Sequence, residues 1–108
     1  MIFPLNAPMF DLLVLAVVAK EDSYGYQISQ IVKNVSNTKD STLYPILRRL
    51  QEDSCLTVYD EQYQGRNRKY YRITENGKEK YQNLLREWNL YKNEVDKIIE
   101  GGINSEQR

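Results

Sequence analysis

The sequence predicts a mainly helical chain with one β-hairpin and a long closing helix, and three observations carry that reading. Apolar residues recur at helical spacing through the first fifty positions, in three segments broken by polar turns. From Leu56 the texture turns β-branched and aromatic, in two alternating runs around a polar segment. From Tyr81 an apolar stripe repeats every three or four residues to Ile98.

The first helix is expected from Asn6 to about Lys20. Its run from Leu12 to Ala19 is too short to cross a membrane, no Lys or Arg precedes it, and Asp11 stands at its mouth. Burial by neighbouring elements explains it, so no membrane partner and a cytoplasmic location are expected. Ser23 is placed as N-cap of a second helix, Tyr24 to about Val35, with Tyr24, Ile28, Ile31 and Val35 on one face. A third helix starts near Thr38 or Lys39 and carries Leu43, Ile46, Leu47 and Leu50 inward. Pro45 lies beyond its first turn and should kink it or shift its start.

Leu56–Tyr59 and Lys69–Thr74 read as strands, joined by the polar loop Gln64–Arg68. Thr74 caps a last helix from Glu75 to about Glu100, which Gly101 and Gly102 should end. The chain thus divides into a body at 1–74, a C-terminal helix at 75–101 and a frayed tail at 102–108.

Composition removes several chemistries. The chain has no histidine, hence no ordinary general base near neutrality and no imidazole metal ligand. Its one cysteine, Cys55, makes no internal disulfide or multi-thiolate zinc site and reads as a small core residue. The five glycines form neither a dinucleotide fingerprint nor a phosphate loop. No enzyme, cofactor or metal site is expected.

Helix, helix, helix, hairpin is the layout of a winged helix-turn-helix, whose third helix enters a DNA major groove while the wing meets backbone or minor groove. Fifteen basic and fifteen acidic residues cancel overall, so a nucleic-acid surface must come from clustering. Arg66, Arg68, Lys69 and Arg72 fall within seven residues that contain no acid. Arg66, Asn67, Arg68 and Lys69 are therefore the candidate wing contacts. Lys39, Ser41, Thr42, Tyr44 and Arg48 are the candidates on the third helix. The expected partner is double-stranded DNA carrying a near-palindromic operator.

Tyr81, Leu84, Trp88, Tyr91, Val95 and Ile98 are spaced 3, 4, 3, 4 and 3 apart, the seam of a coiled coil. So small a body cannot cover that stripe, which points to a homodimer built through this helix. The zero net charge keeps open a competing class, a winged-helix protein-interaction module without specific DNA binding.

Three stretches closely resemble the PadR family of bacterial transcriptional regulators. They are Ser23-Tyr24-Gly25-Tyr26-Gln27-Ile28, the run from Ser41 through Tyr44-Pro45 to Leu50, and the run from Gly65 to Gly77. The resemblance accounts for Pro45, since the family carries proline there in its recognition helix. The single C-terminal helix with a tryptophan is similar to the small subgroup that includes multidrug-sensing repressors. That similarity implies dimerisation through the last helix and a cavity at the dimer centre, where planar aromatic effectors stack on Trp88. Asp11 and Leu12 would face the same cavity. Two departures stand out. Ser54 replaces a glycine usual after the recognition helix. Lys92 stands where drug-binding members carry an acid, which shifts the expected effector toward neutral or anionic aromatics.

Overall fold

The computed structural model describes residues 3–105. Its elements run α1 (Ala7–Lys20), β1 (Ser23–Tyr24), α2 (Gly25–Val32), α3 (Asp40–Glu52), β2 (Leu56–Tyr63), β3 (Arg66–Ile73) and α4 (Glu75–Ser105). The three strands form one antiparallel sheet in the order β1-β3-β2.

Asn6 starts α1 by accepting from the Met9 backbone N–H at 3.0 Å. The helix is the hub of the body, touching α2, α3, α4 and β3. Its nearly all-round apolar surface follows from having so many neighbours. Val14, Leu15 and Val18 are fully buried there with Ile28 and Val32 of α2, Leu43, Leu47 and Leu50 of α3, and Leu56 and Tyr71 of the hairpin.

Four boundaries differ from expectation. Ser23 is not an N-cap: it pairs with Tyr71 in the sheet, and its hydroxyl donates to the Glu21 carbonyl at 3.0 Å. Pairing on the edge of the hairpin takes up backbone that would otherwise lead into the helix, and Tyr24 caps α2 without a side-chain bond. Next, α2 stops at Val32 and buries Gly25, Ile28, Ser29 and Val32, while Ile31 and Val35 stay 43% exposed. Ser29 takes an inner position because its hydroxyl donates to Asp40 at the start of α3.

The hairpin is also longer than expected. Its strands pair in register from Leu56↔Ile73 to Tyr63↔Arg66, so Arg66–Arg68 are strand rather than loop. Only Gln64 and Gly65 turn, with φ of 51° and 77°, the paired left-handed geometry of a two-residue hairpin loop. Finally, Gly101 and Gly102 do not end α4, which runs on to Ser105. Glycine lowers helix stability but stops a helix only when it turns left-handed, and Gly101 does not. Of the tail, 102–105 continue the helix and 106–108 lie outside the described residues.

The third helix keeps its expected inward face through Leu43, Leu47 and Leu50, with Ile46 half-buried, and continues through Pro45. It ends in a Schellman motif: Cys55 N–H donates to the Leu50 carbonyl at 2.8 Å and Ser54 N–H to that of Gln51 at 3.0 Å. Ser54 supplies the left-handed residue at φ 63°.

Candidate nucleic-acid interface

The inward spacing of Leu43, Leu47 and Leu50 turns Ser41, Tyr44 and Arg48 outward on the opposite face of α3. Lys39, Ser41, Thr42 and Arg48 are exposed, and Tyr44 is 43% exposed. Two contacts set the pose of this helix against α2. Asp40 accepts from the Ser29 hydroxyl and pairs with Lys33 at 3.3 Å. Those partners hold its carboxyl below the usual carboxylate range, the Ser29 hydrogen bond first and the Lys33 ammonium after it. Tyr44 lies directly on Gly25, where an added Cβ would meet its Cε1 at 2.8 Å.

On the hairpin, Arg66, Asn67 and Lys69 are exposed, and Asn67 Oδ1 accepts from Gln62 Nε2 at 3.4 Å. Arg68 is half-buried, its guanidinium carbon 4.2 Å from the Tyr24 ring centre and 3.8 Å from that of Tyr63. Arg72, the last member of the basic cluster, lies at the far end of the same strand from Arg66 and is held in an ion pair. Its Nε donates to Asp22 at 3.1 Å, beside the Tyr59 hydroxyl that donates to the same carboxylate at 2.7 Å. Arg72 is thereby paired, while Arg66, Arg68 and Lys69 make no ion pair within 4.0 Å among the described residues, with Asp60 and Glu61 standing opposite Lys69 and Arg68 in the register.

These two sets meet. One groove between α3 and the wing is lined by Tyr24, Gly25, Tyr26, Tyr44, Arg68, Lys69 and Tyr71. Sequence reasoning missed Tyr24, Tyr26 and Tyr63 as part of the surface. The signal lay in the hairpin register: a two-residue turn puts Tyr63 opposite Arg66 and diagonal to Arg68 on the same face.

The C-terminal helix presents a second region. Tyr81 and Leu84 pack on the core, Trp88 and Val95 are half-buried, and Tyr91 and Ile98 are 65% and 73% exposed. Trp88 lies 6.1 Å from Tyr91 between ring centres and, with Lys92 and Val95, lines a concavity beside Phe3–Asn6. Leu12 and Trp88 line an adjoining hollow. Asp11 faces neither. It is 5% exposed and accepts from both Arg49 terminal nitrogens at 2.5 and 3.2 Å, with Lys80 at 3.4 Å. A carboxylate so buried needs cationic partners, and α3 and α4 supply them. Cys55 is buried, and that burial pushes its thiol pKa up, away from redox reactivity. No helix among the described residues is long and apolar enough to cross a membrane.

A helix-turn-helix with a polar recognition helix beside a cationic wing defines a winged-helix protein of the DNA-binding class. The family model described as the transcriptional regulator PadR-like family matches residues 14–83, and the chain belongs to that family. Its members are regulators rather than enzymes. The crystal structure of smu.1704 from Streptococcus mutans is 46% identical, covers 94% of this chain and 95% of that one, and superposes at a TM-score of 0.91. A PadR family transcription regulator from Clostridium difficile is 30% identical over 83% of this chain and 97% of its own, with a TM-score of 0.76. The PadR of Bacillus subtilis in complex with operator DNA shares the fold at 24% identity and a TM-score of 0.62, covering 69% of this chain and 45% of that one.

Proposed function

We propose that the chain is a homodimeric repressor that binds a near-palindromic operator on duplex DNA in the cytoplasm. The observation that carries this reading is the shared groove in which Tyr44 of α3 meets Arg68 and Lys69 of the wing. Lys39, Ser41, Thr42, Tyr44 and Arg48 supply the major-groove and adjacent phosphate contacts, and Arg66, Asn67, Arg68 and Lys69 hold backbone or minor groove. The Bacillus subtilis PadR, with the same fold, was solved on operator DNA. Dimerisation runs through the exposed seam residues Tyr91 and Ile98, continuous with Trp88 and Val95.

Selection of fragmented genomic DNA from the source organism tests the reading, with an Arg66→Ala/Arg68→Ala variant alongside. A few near-palindromic sites should be enriched by the native protein and lost with the variant. Absence of any salt-sensitive binding to random duplex at low salt would overturn it in favour of a protein-interaction module.

The effector step belongs to α4. A planar aromatic compound, neutral or anionic because of Lys92, stacks on Trp88 near Leu12 and Tyr91. It releases DNA only by binding the DNA-free arrangement of the two heads more tightly than the bound one. Quenching of the sole tryptophan by such compounds, with matching loss of operator affinity, is the expected result. Silence across a broad panel would leave Trp88 as packing alone.

A further inference from the structure

Two of the tyrosines that sequence reasoning missed, Tyr24 and Tyr63, form part of a ladder along one face of the wing. Arg68 lies between the Tyr63 ring at 3.8 Å and the Tyr24 ring at 4.2 Å. Tyr24 stands edge-on to Tyr70 at 5.5 Å, Tyr70 stacks on Tyr59 at 5.6 Å, and Arg72 covers Tyr59 at 4.8 Å. The two ends of this ladder differ in one respect. Arg72 is paired with Asp22 at 3.1 Å, whereas Arg68 makes no ion pair within 4.0 Å among the described residues, although Glu61 stands opposite it in the register.

We infer that Tyr24 and Tyr63 are positioning residues that hold Arg68 as the pre-set anchor of the wing on the duplex. The inference rests on the DNA-binding reading above. A guanidinium held against two aromatic rings has few orientations left, and its N–H groups meet acceptors edge-on. Its rotamer freedom is spent in the free protein, so binding has less order to impose. Tyr24 adds a second constraint. It covers Arg68 while its neighbour Gly25 seats Tyr44 of α3, so one dipeptide fixes the spacing between wing anchor and recognition helix.

The shared ligand chemistry is an electronegative edge of duplex DNA, either phosphate oxygens or the acceptors of a narrow A·T minor groove. Tyr63 is 46% exposed at the wing tip, so Tyr63→Leu spares the core. The first readout uses the DNA-free protein: the Arg68 side-chain resonances should be ring-current shifted in the native chain and in Tyr63→Phe, and relaxed in Tyr63→Leu. The second is affinity for a 30-base-pair duplex of random sequence at low salt, for a copy with A-tract flanks and for one with G·C flanks.

Tyr63→Leu should weaken binding roughly three- to tenfold at unchanged Tm, with Tyr63→Phe near native. The same change in an Arg68→Ala background should cost nothing further, because Tyr63 acts through Arg68. Loss confined to the A-tract duplex places the contact in the minor groove; equal loss on all three places it on phosphates. An additive loss in the double variant, native-like binding by Tyr63→Leu, or unshifted Arg68 resonances in the native protein would overturn the proposal. A native protein with shifted resonances that binds none of the duplexes would instead sink the DNA-binding reading, and the anchor role with it.

Discussion

Single residues carry measurable consequences. Ser54 occupies the left-handed position that ends α3, at φ 63°. A side chain there costs about 1 kcal/mol, so Ser54→Gly should raise stability by roughly that amount in chemical denaturation. Gly25 matters for the opposite reason, because a Cβ would press on the Tyr44 ring at 2.8 Å. The half-exposed ring can swing aside, so Gly25→Ala should leave the fold nearly as stable. Operator affinity should fall roughly tenfold, equivalent to about 1.4 kcal/mol, as measured by titration of a selected site. Asp40 sets a pH dependence. Its carboxyl is held below its ordinary range in the folded chain, so its contribution is present at neutral pH and above about pH 4 and fades as pH falls further. Denaturation curves from pH 6 to pH 2 should show a shallower acid limb for Asp40→Asn than for the native chain.

At the scale of elements, the periodic segments were legible and their junctions were not. The inward Leu43, Leu47 and Leu50 of α3 and the alternating runs of the hairpin follow from side-chain period alone. The two-residue β1 carries no period; Ser23 and Tyr24 are strand only because β3 offers them partners. Register decided the wing likewise, turning an expected loop into paired strand and bringing Tyr63 beside Arg68. The resemblance implies a place for Asp11 at a cavity between two copies, and local sequence does not show that Arg49, 38 positions away, pairs with it inside the body. Removing that carboxylate leaves Arg49 and Lys80 facing each other near the core. Because their side chains stay 42% and 32% exposed, the cost of Asp11→Asn should be about 1–3 kcal/mol, below that of a fully buried pair. On α4, an Ile98→Asp/Tyr91→Asp pair should shift sedimentation from dimer to monomer at micromolar concentration while the helical signal of the body persists.

The described residues measure 67 × 28 × 20 Å, and the 31-residue α4, about 46 Å long at about 1.5 Å per residue, supplies most of the long axis. Phosphate contacts act at this scale, through the summed field of the wing. Arg66→Ala should flatten the slope of log affinity against log salt by roughly one unit, alike on operator and random duplex. An unchanged slope would remove Arg66 from the backbone contacts. One corner governs how such a body can move. Thr74 alone joins β3 to α4; its hydroxyl donates to the Ser54 carbonyl at 2.6 Å and accepts from Gly77 N–H at 2.9 Å, while Asn76 donates to the Asp53 carbonyl at 3.1 Å. Gly77 sits so close that a Cβ there would lie 2.1 Å from the Cys55 carbonyl oxygen. The exit of α3 and the root of α4 are therefore tied together at a single tightly packed joint. In the proposed dimer each subunit then swings like an oar fixed to its blade, and the pivot for the proposed regulatory signal lies between the two copies.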